Sequence, residues 1–321
     1  MRDEPLLSAL SVEALSRMEE FAVQDLVNTA WALATLAWPD VPVLKAIAVK
    51  ALQTVDEFDS QHLSNLSWAF ATLQFRDPQV LGAFAQAAAF QFEFASGQDL
   101  ASTAWAFAAI AFRDEPFLLA LSLHAQAQVG SLRPRELAGL AWAFSTFGIR
   151  DLPLLKAIAE CMMKAHSDEA FAEWEFQNFS NIAWSFAHLG VLDVPLFDVI
   201  ASASLQLLPG AGAQGVANMA WAFASLWVEA TPLFEALASQ TLKILVEFGH
   251  QALSNTFWAF ATCAIQDRPL IVALSSQALS ILDEFAPQDV ANTAWALATL
   301  LIWDSPLFDA IAGRLSSTFA E

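Results

Sequence analysis

The 321-residue chain contains only two cysteines, Cys161 and Cys263, and they form no CxxC pair or zinc-type cluster. A disulfide framework and a cysteine-based metal site are therefore excluded. No apolar run reaches the ~18–20 residues that a membrane-spanning helix needs. The opening residues, MRDEPLLSAL, are acidic where a signal or transit peptide is basic and poor in acids. We expect neither a membrane contact nor a transit peptide in this chain.

Basic residues are also scarce. The chain has 14 Lys and Arg against 34 Asp and Glu, which gives a net charge of −20. This imbalance excludes a broad basic surface for nucleic acid, although not a local one. Apolar residues make up 56% of the chain and charged residues 15%. That composition is too apolar for a disordered protein, and the chain is long enough to bury a large core.

What the chain has in abundance is one repeated motif centred on tryptophan. The segment NTAWALATL at 28–36 returns in forms such as NLSWAFATL and NMAWAFASL. Seven repeats have an Asp nine residues after the Trp, and in all eight a proline follows within two residues of that position. The central tryptophans are spaced by 37, 37, 37, 42, 37, 37 and 37 residues: Trp31, Trp68, Trp105, Trp142, Trp184, Trp221, Trp258 and Trp295.

Each repeat predicts two helices. The first contains the Trp and shows no β-type alternation, and the second begins at the Asp-x-Pro step, where Asp caps a helix and Pro fits its first turn. A helix pair at a fixed period predicts an all-α protein, a right-handed α-solenoid of about eight 37-residue helix-turn-helix repeats. We expect a single domain over 1–321 with a partial repeat at 1–20 and a longer connection at 166–176. The full repeats begin near residues 21, 58, 95, 132, 174, 211, 248 and 285.

The sequence contains no arrangement typical of an active site. The five histidines share no common repeat position, and none lies at ligand spacing from a Cys or Asp. P-loop, GxGxxG and GxSxG motifs are missing, and the glycine-rich stretch PGAGAQG at 209–215 lacks the Lys-Ser/Thr ending of a P-loop. We therefore expect a non-enzymatic protein without a cofactor, a metal or a small-molecule substrate.

Asn, Trp and Thr, spaced three and four residues apart in the first helix, form a stripe on one helix face. In one interpretation the stripe holds a ligand, with Trp stacking and Asn hydrogen bonding. In the other it fills the space between successive helices. Because the Trp never varies, the structural interpretation is favoured, and we expect largely buried Trp side chains. The variable residues two positions before the Trp, and those in the turn, are then better candidates for base contact. The Asn row comprises Asn28, Asn65, Asn181, Asn218, Asn255 and Asn292.

Two further groups of residues are candidates for partner contact. Three arginines hold the same place in successive repeats, and two more lie nearby: Arg76, Arg113, Arg150, Arg133 and Arg135. The three in successive repeats either cap helix carbonyl ends or pair with a nearby Asp, or else they form a row that contacts phosphates, to which Arg133 and Arg135 add. Trp174 lies in the acidic longer connection, which is either a partner site or a longer helix end. We expect Trp174 to be more exposed than Trp142 and Trp184.

The segments QDLVNTAWALATL at 24–36 and PQDVANTAWALATL at 287–300 resemble octotricopeptide-type repeats. They are also similar to the related heptatricopeptide and FAST-kinase-like arrays, and the resemblance extends from about residue 3 to 320. It implies an α-solenoid without catalysis that binds single-stranded RNA in organellar RNA processing, stability or translation, in a mitochondrion or chloroplast. The acidic charge favours an alternative on the same fold, a protein–protein interaction scaffold. The expected partner is therefore single-stranded RNA or a protein.

Overall fold

A computed structural model describes residues 3–167 and 172–318. Within these ranges all regular secondary structure is helical, with seventeen α-helices and no strand, so the all-α prediction is confirmed. The first helices of the repeats each contain the repeated Trp: α2 (Val23–Thr35), α4 (Ser60–Thr72), α6 (Gly97–Ala109), α8 (Pro134–Thr146), α10 (Phe176–His188), α12 (Ala213–Ser225), α14 (His250–Thr262) and α16 (Pro287–Thr299). The second helices are α1 (Glu4–Ser16), α3 (Val41–Gln53), α5 (Pro78–Gln91), α7 (Glu115–Gln128), α9 (Leu152–Ser167), α11 (Val194–Leu207), α13 (Thr231–Lys243), α15 (Arg268–Ser280) and α17 (Ser305–Thr318).

The second helices begin as the Asp-x-Pro motif predicts. The carboxylate of Asp40 accepts a hydrogen bond from the backbone N–H of Val43 at 3.1 Å, and Asp114 accepts one from Phe117 at 2.9 Å. Proline follows in the first turn, where its missing N–H leaves no bond unmade. Ala230, the one exception in the row, makes no side-chain cap.

The first helices all end in the same way. The residue six positions after the Trp is left-handed in every repeat, and its successor donates back to the helix, as Phe75 does to the carbonyl of Phe70 at 2.8 Å. This is a Schellman ending, which favours glycine because other residues have a Cβ that crowds the backbone. Only two repeats have glycine there: the residues are Ala37, Gln74, Ala111, Gly148, Gly190, Trp227, Ala264 and Leu301.

The chain divides into two compact units, unit 1 (Met1–Ile158) and unit 2 (Ala159–Glu321). In unit 1 the first helices pack consecutively from α2 to α8, and in unit 2 they do so from α10 to α16. The second helices pack against their own first helix and against one another, less closely than the first helices do. Consecutive packing of equivalent helices confirms the α-solenoid. That both units form one domain stays a prediction.

The core of each repeat is built by the residue two positions after the Trp. This position is Leu or Phe throughout and is buried in all eight repeats. In α6 the ring of Phe107 stacks on Phe117 of the second helix at 4.6 Å, and in unit 2 Phe260 packs edge-on against Phe234 at 5.3 Å. These contacts hold the two helices of a repeat together.

Carboxylates in the first turn of some first helices tie adjacent repeats together. Asp289 accepts hydrogen bonds from its own helix start at Ala286 and from Ser254 of the preceding repeat at 2.6 Å. The ring of His250 contacts the same carboxylate at 2.7 Å. Asp99 makes the equivalent bond to Ser64 at 3.0 Å. One carboxylate thus caps its own helix and also fixes how that helix is aligned with the first helix of the preceding repeat.

Acid should remove the contribution of Asp289 to stability. Burial alone would raise the pKa of Asp289, but hydrogen bonds from Ser254, His250 and Ala286 hold that pKa below its ordinary value. A lowered folded-state pKa gives stability that is present above the unfolded pKa of about 3.9 and is lost as the pH falls through the folded value. We expect Asp289→Asn to lower the unfolding free energy by about 1–3 kcal/mol at pH 7. In urea unfolding, the difference in unfolding free energy between this variant and wild type should become smaller below about pH 4. A difference that is the same at pH 3 as at pH 7 would contradict the lowered pKa of Asp289.

Gly97 provides the space for the longer carboxylate of Glu136. A Cβ added at Gly97 would lie 2.7 Å from the Glu136 Oε2 atom and 2.4 Å from the Cδ2 atom of Leu132. We expect Gly97→Ala to cost about 1–3 kcal/mol because the buried side chains of Leu132 and Glu136 must move aside. The matched control is Gly82→Ala in α5, where nothing lies within 4 Å; that change should stabilise the protein by about 0.4–1 kcal/mol. Equal effects of the two variants in urea unfolding would exclude the packing explanation.

Candidate nucleic-acid interface

Four positions of the first helix share one solvent-facing side in every repeat. They are mainly a Gln seven residues before the Trp, an Asn three residues before it, the Trp itself, and a Thr four residues after it. We call these positions the Trp stripe. The Gln row was missed by sequence reasoning, although its signal is as regular as the Asn row. It comprises the exposed residues Gln24, Gln61, Gln98, Gln177, Gln214, Gln251 and Gln288, with exposed Arg135 in the fourth repeat.

The repeated tryptophans are less buried than expected. Trp31 is 50% exposed and Trp295 is 46% exposed, and the other six are partly exposed. The cause is the small side chains on either side of most of these tryptophans, such as Ser67 and Ala69 in α4, which are buried. Small residues let successive first helices approach closely, so that no room for an indole is left between them. The ring is displaced to the surface.

Within each unit, indole rings of some successive repeats contact one another along the surface. In unit 1 the ring centroids of Trp105 and Trp142 are 6.1 Å apart. In unit 2 the neighbouring rings from Trp184 to Trp295 are each 6.3 Å apart, with interplanar angles between 30° and 37°. The unit 2 tryptophans therefore form a continuous aromatic row that is open to solvent along one side.

Amide groups lie beside the rings. The Gln24 amide donates to the Asn28 carbonyl oxygen at 2.9 Å, and Gln177 makes the same bond to Asn181 at 2.7 Å. This pairing leaves the Asn amide as a donor for a ligand, and in Gln177 also the carbonyl oxygen as an acceptor; the Gln24 carbonyl oxygen lies 3.2 Å from the Nε2 atom of His62. Flat aromatic surfaces next to uncharged donors and acceptors suit nucleobases, which stack and hydrogen-bond through their edges.

The negative charge of the protein lies outside the Trp stripe, where none of the four positions holds an acid. Acids concentrate at the starts of helices, where they cap backbone N–H groups. The one charged side chain in the stripe is Arg135, and within the described ranges it makes no ion pair or hydrogen bond. The stripe therefore forms a largely neutral surface on an acidic protein.

The candidate arginines have different environments. Arg113 donates to the carbonyl of Phe147 at 2.6 Å, so it caps a helix end, but that helix belongs to the following repeat. Arg76 donates to Gln74 at 3.1 Å, and Arg133 forms an ion pair with Glu136 at 2.6 Å. Arg76, Arg113 and Arg150 are nevertheless exposed, at the turn that follows the stripe in unit 1.

Most residues two positions before the Trp are buried and cannot contact a base. Seven of the eight are buried against neighbouring first helices: Leu66, Thr103, Leu140, Ile182, Met219, Thr256 and Thr293. The expectation that this variable position distinguishes bases is therefore wrong. Its variation reflects packing between repeats, because these side chains occupy the contact that the Trp was expected to make.

Trp174 is likewise not the exposed residue that was expected. Its side chain is 6% exposed and packs on Phe179 at 5.1 Å, whereas Trp142 and Trp184 are partly exposed. Its burial removes the basis for a partner site at this residue. Residues 168–171 of the longer connection lie outside the described residues.

The described residues contain neither a metal-binding cluster nor a membrane-spanning helix. No group of three or more His, Cys, Asp or Glu side chains there could hold a metal ion. No helix in those ranges is both long enough and apolar enough to cross a membrane.

Comparison with known proteins identifies a family. No curated protein matches the chain. A family model described as RNA-editing substrate-binding complex 6 protein matches residues 1–78 and 78–319. These matches cover nearly all of the helical array, including every repeated Trp. The octotricopeptide type stays a prediction, and the chain belongs to the RNA-editing substrate-binding complex 6 family.

Proposed function

We propose that this protein is a non-enzymatic subunit of an RNA-editing substrate-binding complex and that it holds single-stranded RNA along its Trp stripe. The observation that carries the proposal is the stacking of partly exposed tryptophans within each unit. Their ring centroids are 6.1 Å apart in the Trp105–Trp142 pair of unit 1 and 6.3 Å apart along the row of unit 2. The family description supports an RNA-related role. The organellar setting rests on the resemblance to organellar repeat proteins.

Base stacking supplies most of the affinity in this proposal. Stacking of a base on an aromatic side chain contributes about 1–3 kcal/mol and tolerates any base. Since Gln, Asn and Trp recur with little change, we expect one type of contact per repeat. A duplex keeps its base faces stacked on one another, so the stripe selects single strands.

Phosphate contacts are few and local. In unit 1 the exposed Arg76, Arg113 and Arg150 follow the stripe at the turn, and Arg135 lies within it. They are the only part of the proposed surface with a row of positive charge. Most phosphates therefore remain in water, away from the carboxylates at the helix starts.

Salt dependence tests this arrangement. Fluorescence anisotropy with a labelled mixed-sequence 12-nucleotide RNA, at 50 and 200 mM salt, should show binding that weakens with salt. Each phosphate contact adds about 0.7 to the slope for a single strand. Replacing Arg76, Arg113 and Arg150 with Gln should therefore flatten the slope by about two.

The control for the arginine variant is Lys45→Gln, which removes an exposed positive charge from the second helix α3. It should leave the slope nearly unchanged. If wild type fails to bind RNA at 50 mM salt, the protein does not bind RNA by itself. If binding persists with an unchanged slope in the triple variant, the arginines have no phosphate contact.

A further inference from the structure

A second exposed apolar surface lies in unit 2, at the turns that follow the Trp stripe. We call it the turn edge: the four turns that join first to second helices at 190–193, 227–230, 264–267 and 301–304. Trp227 is 74% exposed, Leu301 is 88% exposed and Trp303 is 81% exposed. Large apolar side chains this open to water, on one edge of one unit, are typical of an interaction surface.

Two of these side chains occupy unfavourable backbone positions. Trp227 and Leu301 are left-handed, with φ values of 56° and 57°. In two other repeats the equivalent residue is a glycine, Gly148 or Gly190, and glycine adopts this conformation without steric cost. Glycine at both sites would therefore make the folded protein more stable. The large residues gain little burial in return, so the fold alone does not explain them.

The charge of the turn edge indicates the kind of partner. The four turns contain four acids and no Lys or Arg: Asp193, Glu229, Asp267 and Asp304. The corresponding turns of unit 1 also contain four acids, but three arginines stand beside them. Residues 172–318 as a whole hold thirteen acids against three basic residues. Glu229, exposed two residues after Trp227, makes no hydrogen bond or ion pair in the part of the chain that the structure describes.

We infer that the turn edge is a docking surface for a basic polypeptide segment with apolar anchor side chains. Leu301 and the two indoles take the apolar anchors, and the carboxylates pair with Arg or Lys of the partner. A guanidinium placed over Trp227 or Trp303 adds a cation–π contact. Trp and Arg are the residues that most often dominate such interfaces. This surface is separate from the Trp stripe and does not depend on RNA binding.

Substitution by glycine separates docking from folding. Two synthetic 18-residue amphipathic helices serve as probes, one of Leu and Arg and the other of Leu and Glu, with the same apolar face. In calorimetric titration the Arg peptide should bind wild type, and Trp227→Gly combined with Leu301→Gly should weaken it at least tenfold. The same variant should raise the unfolding temperature by about 2–4 °C or more, because left-handed strain is relieved. Weaker docking in a more stable protein cannot come from misfolding.

Ala264→Gly is the matched control, since it relieves the same backbone strain between the two sites. It should stabilise the protein and leave peptide affinity unchanged. The inference is overturned if neither peptide binds wild type, if the Glu peptide binds equally well, or if the glycine variant keeps its affinity. A parallel loss of RNA binding in the glycine variant would also overturn it, by assigning the turn edge to the RNA surface.

Discussion

Replacing Phe107 with alanine should lower the unfolding free energy by about 3–5 kcal/mol, the usual cost of truncating a buried aromatic side chain. Phe107 is fully buried and stacks on Phe117 at 4.6 Å, so the change opens a cavity between the two helices of its repeat. Trp105→Ala, two residues earlier, should cost clearly less, because part of that ring already faces water. Urea unfolding of the two variants makes the comparison.

The contrast between these neighbours decides what the repeated Trp is for. If Trp105→Ala lowers the unfolding free energy as much as Phe107→Ala does, the Trp is a packing residue. The proposal that the stripe binds a ligand would then lose its support. Phe144→Ala in the next repeat is a useful parallel, because Phe144 is buried at the equivalent position. It should reproduce the effect of Phe107→Ala.

Replacing Trp105 and Trp142 together with leucine should weaken single-stranded RNA binding at least thirtyfold. The two rings are in contact and partly exposed, and each stacked base contributes about 1–3 kcal/mol, so losing two platforms removes about 2–6 kcal/mol. Leucine keeps an apolar side chain at both sites and limits the loss of stability. Anisotropy with the labelled RNA measures the effect.

The control for this variant removes the same number of tryptophans from another surface. Trp227 and Trp303 are more exposed than any Trp of the stripe, yet they lie on the turn edge. Replacing both with leucine should leave RNA affinity within about twofold, since no platform of the stripe is lost. Equal losses in the two double variants would show that exposed indoles bind RNA without regard to position.

The repeat architecture was predictable from the sequence because its signals are local. Asp40 and Asp114 each cap a second helix through a hydrogen bond that spans three residues. The fixed 37-residue period predicts that equivalent helices of successive repeats stack on one another. These features depend on one repeat and its own periodicity.

The surfaces were harder to predict, because they depend on how closely neighbouring repeats approach. Helical spacing placed Asn, Trp and Thr on one face but could not tell whether that face met another helix or water. The deciding residues were small ones such as Ser67 and Ala69, which bring the helices together and expose the indole. The hydrogen bond from Arg113 to Phe147 spans 34 residues and joins two repeats, so local sequence could not predict it either. The left-handed turn was missed because Gln74 and Trp227 stand where glycine is usual.

The claim that RNA bases lie on the Trp stripe is tested most directly by the indole N–H region of a proton–nitrogen NMR spectrum. The chain has 12 tryptophans, eight in the stripe and four outside it: Trp38, Trp174, Trp227 and Trp303. On titration with single-stranded RNA, we expect shifts among the eight stripe resonances and none among the other four. Shifts confined to the four outside resonances, or no shift at a saturating RNA concentration, would contradict the account.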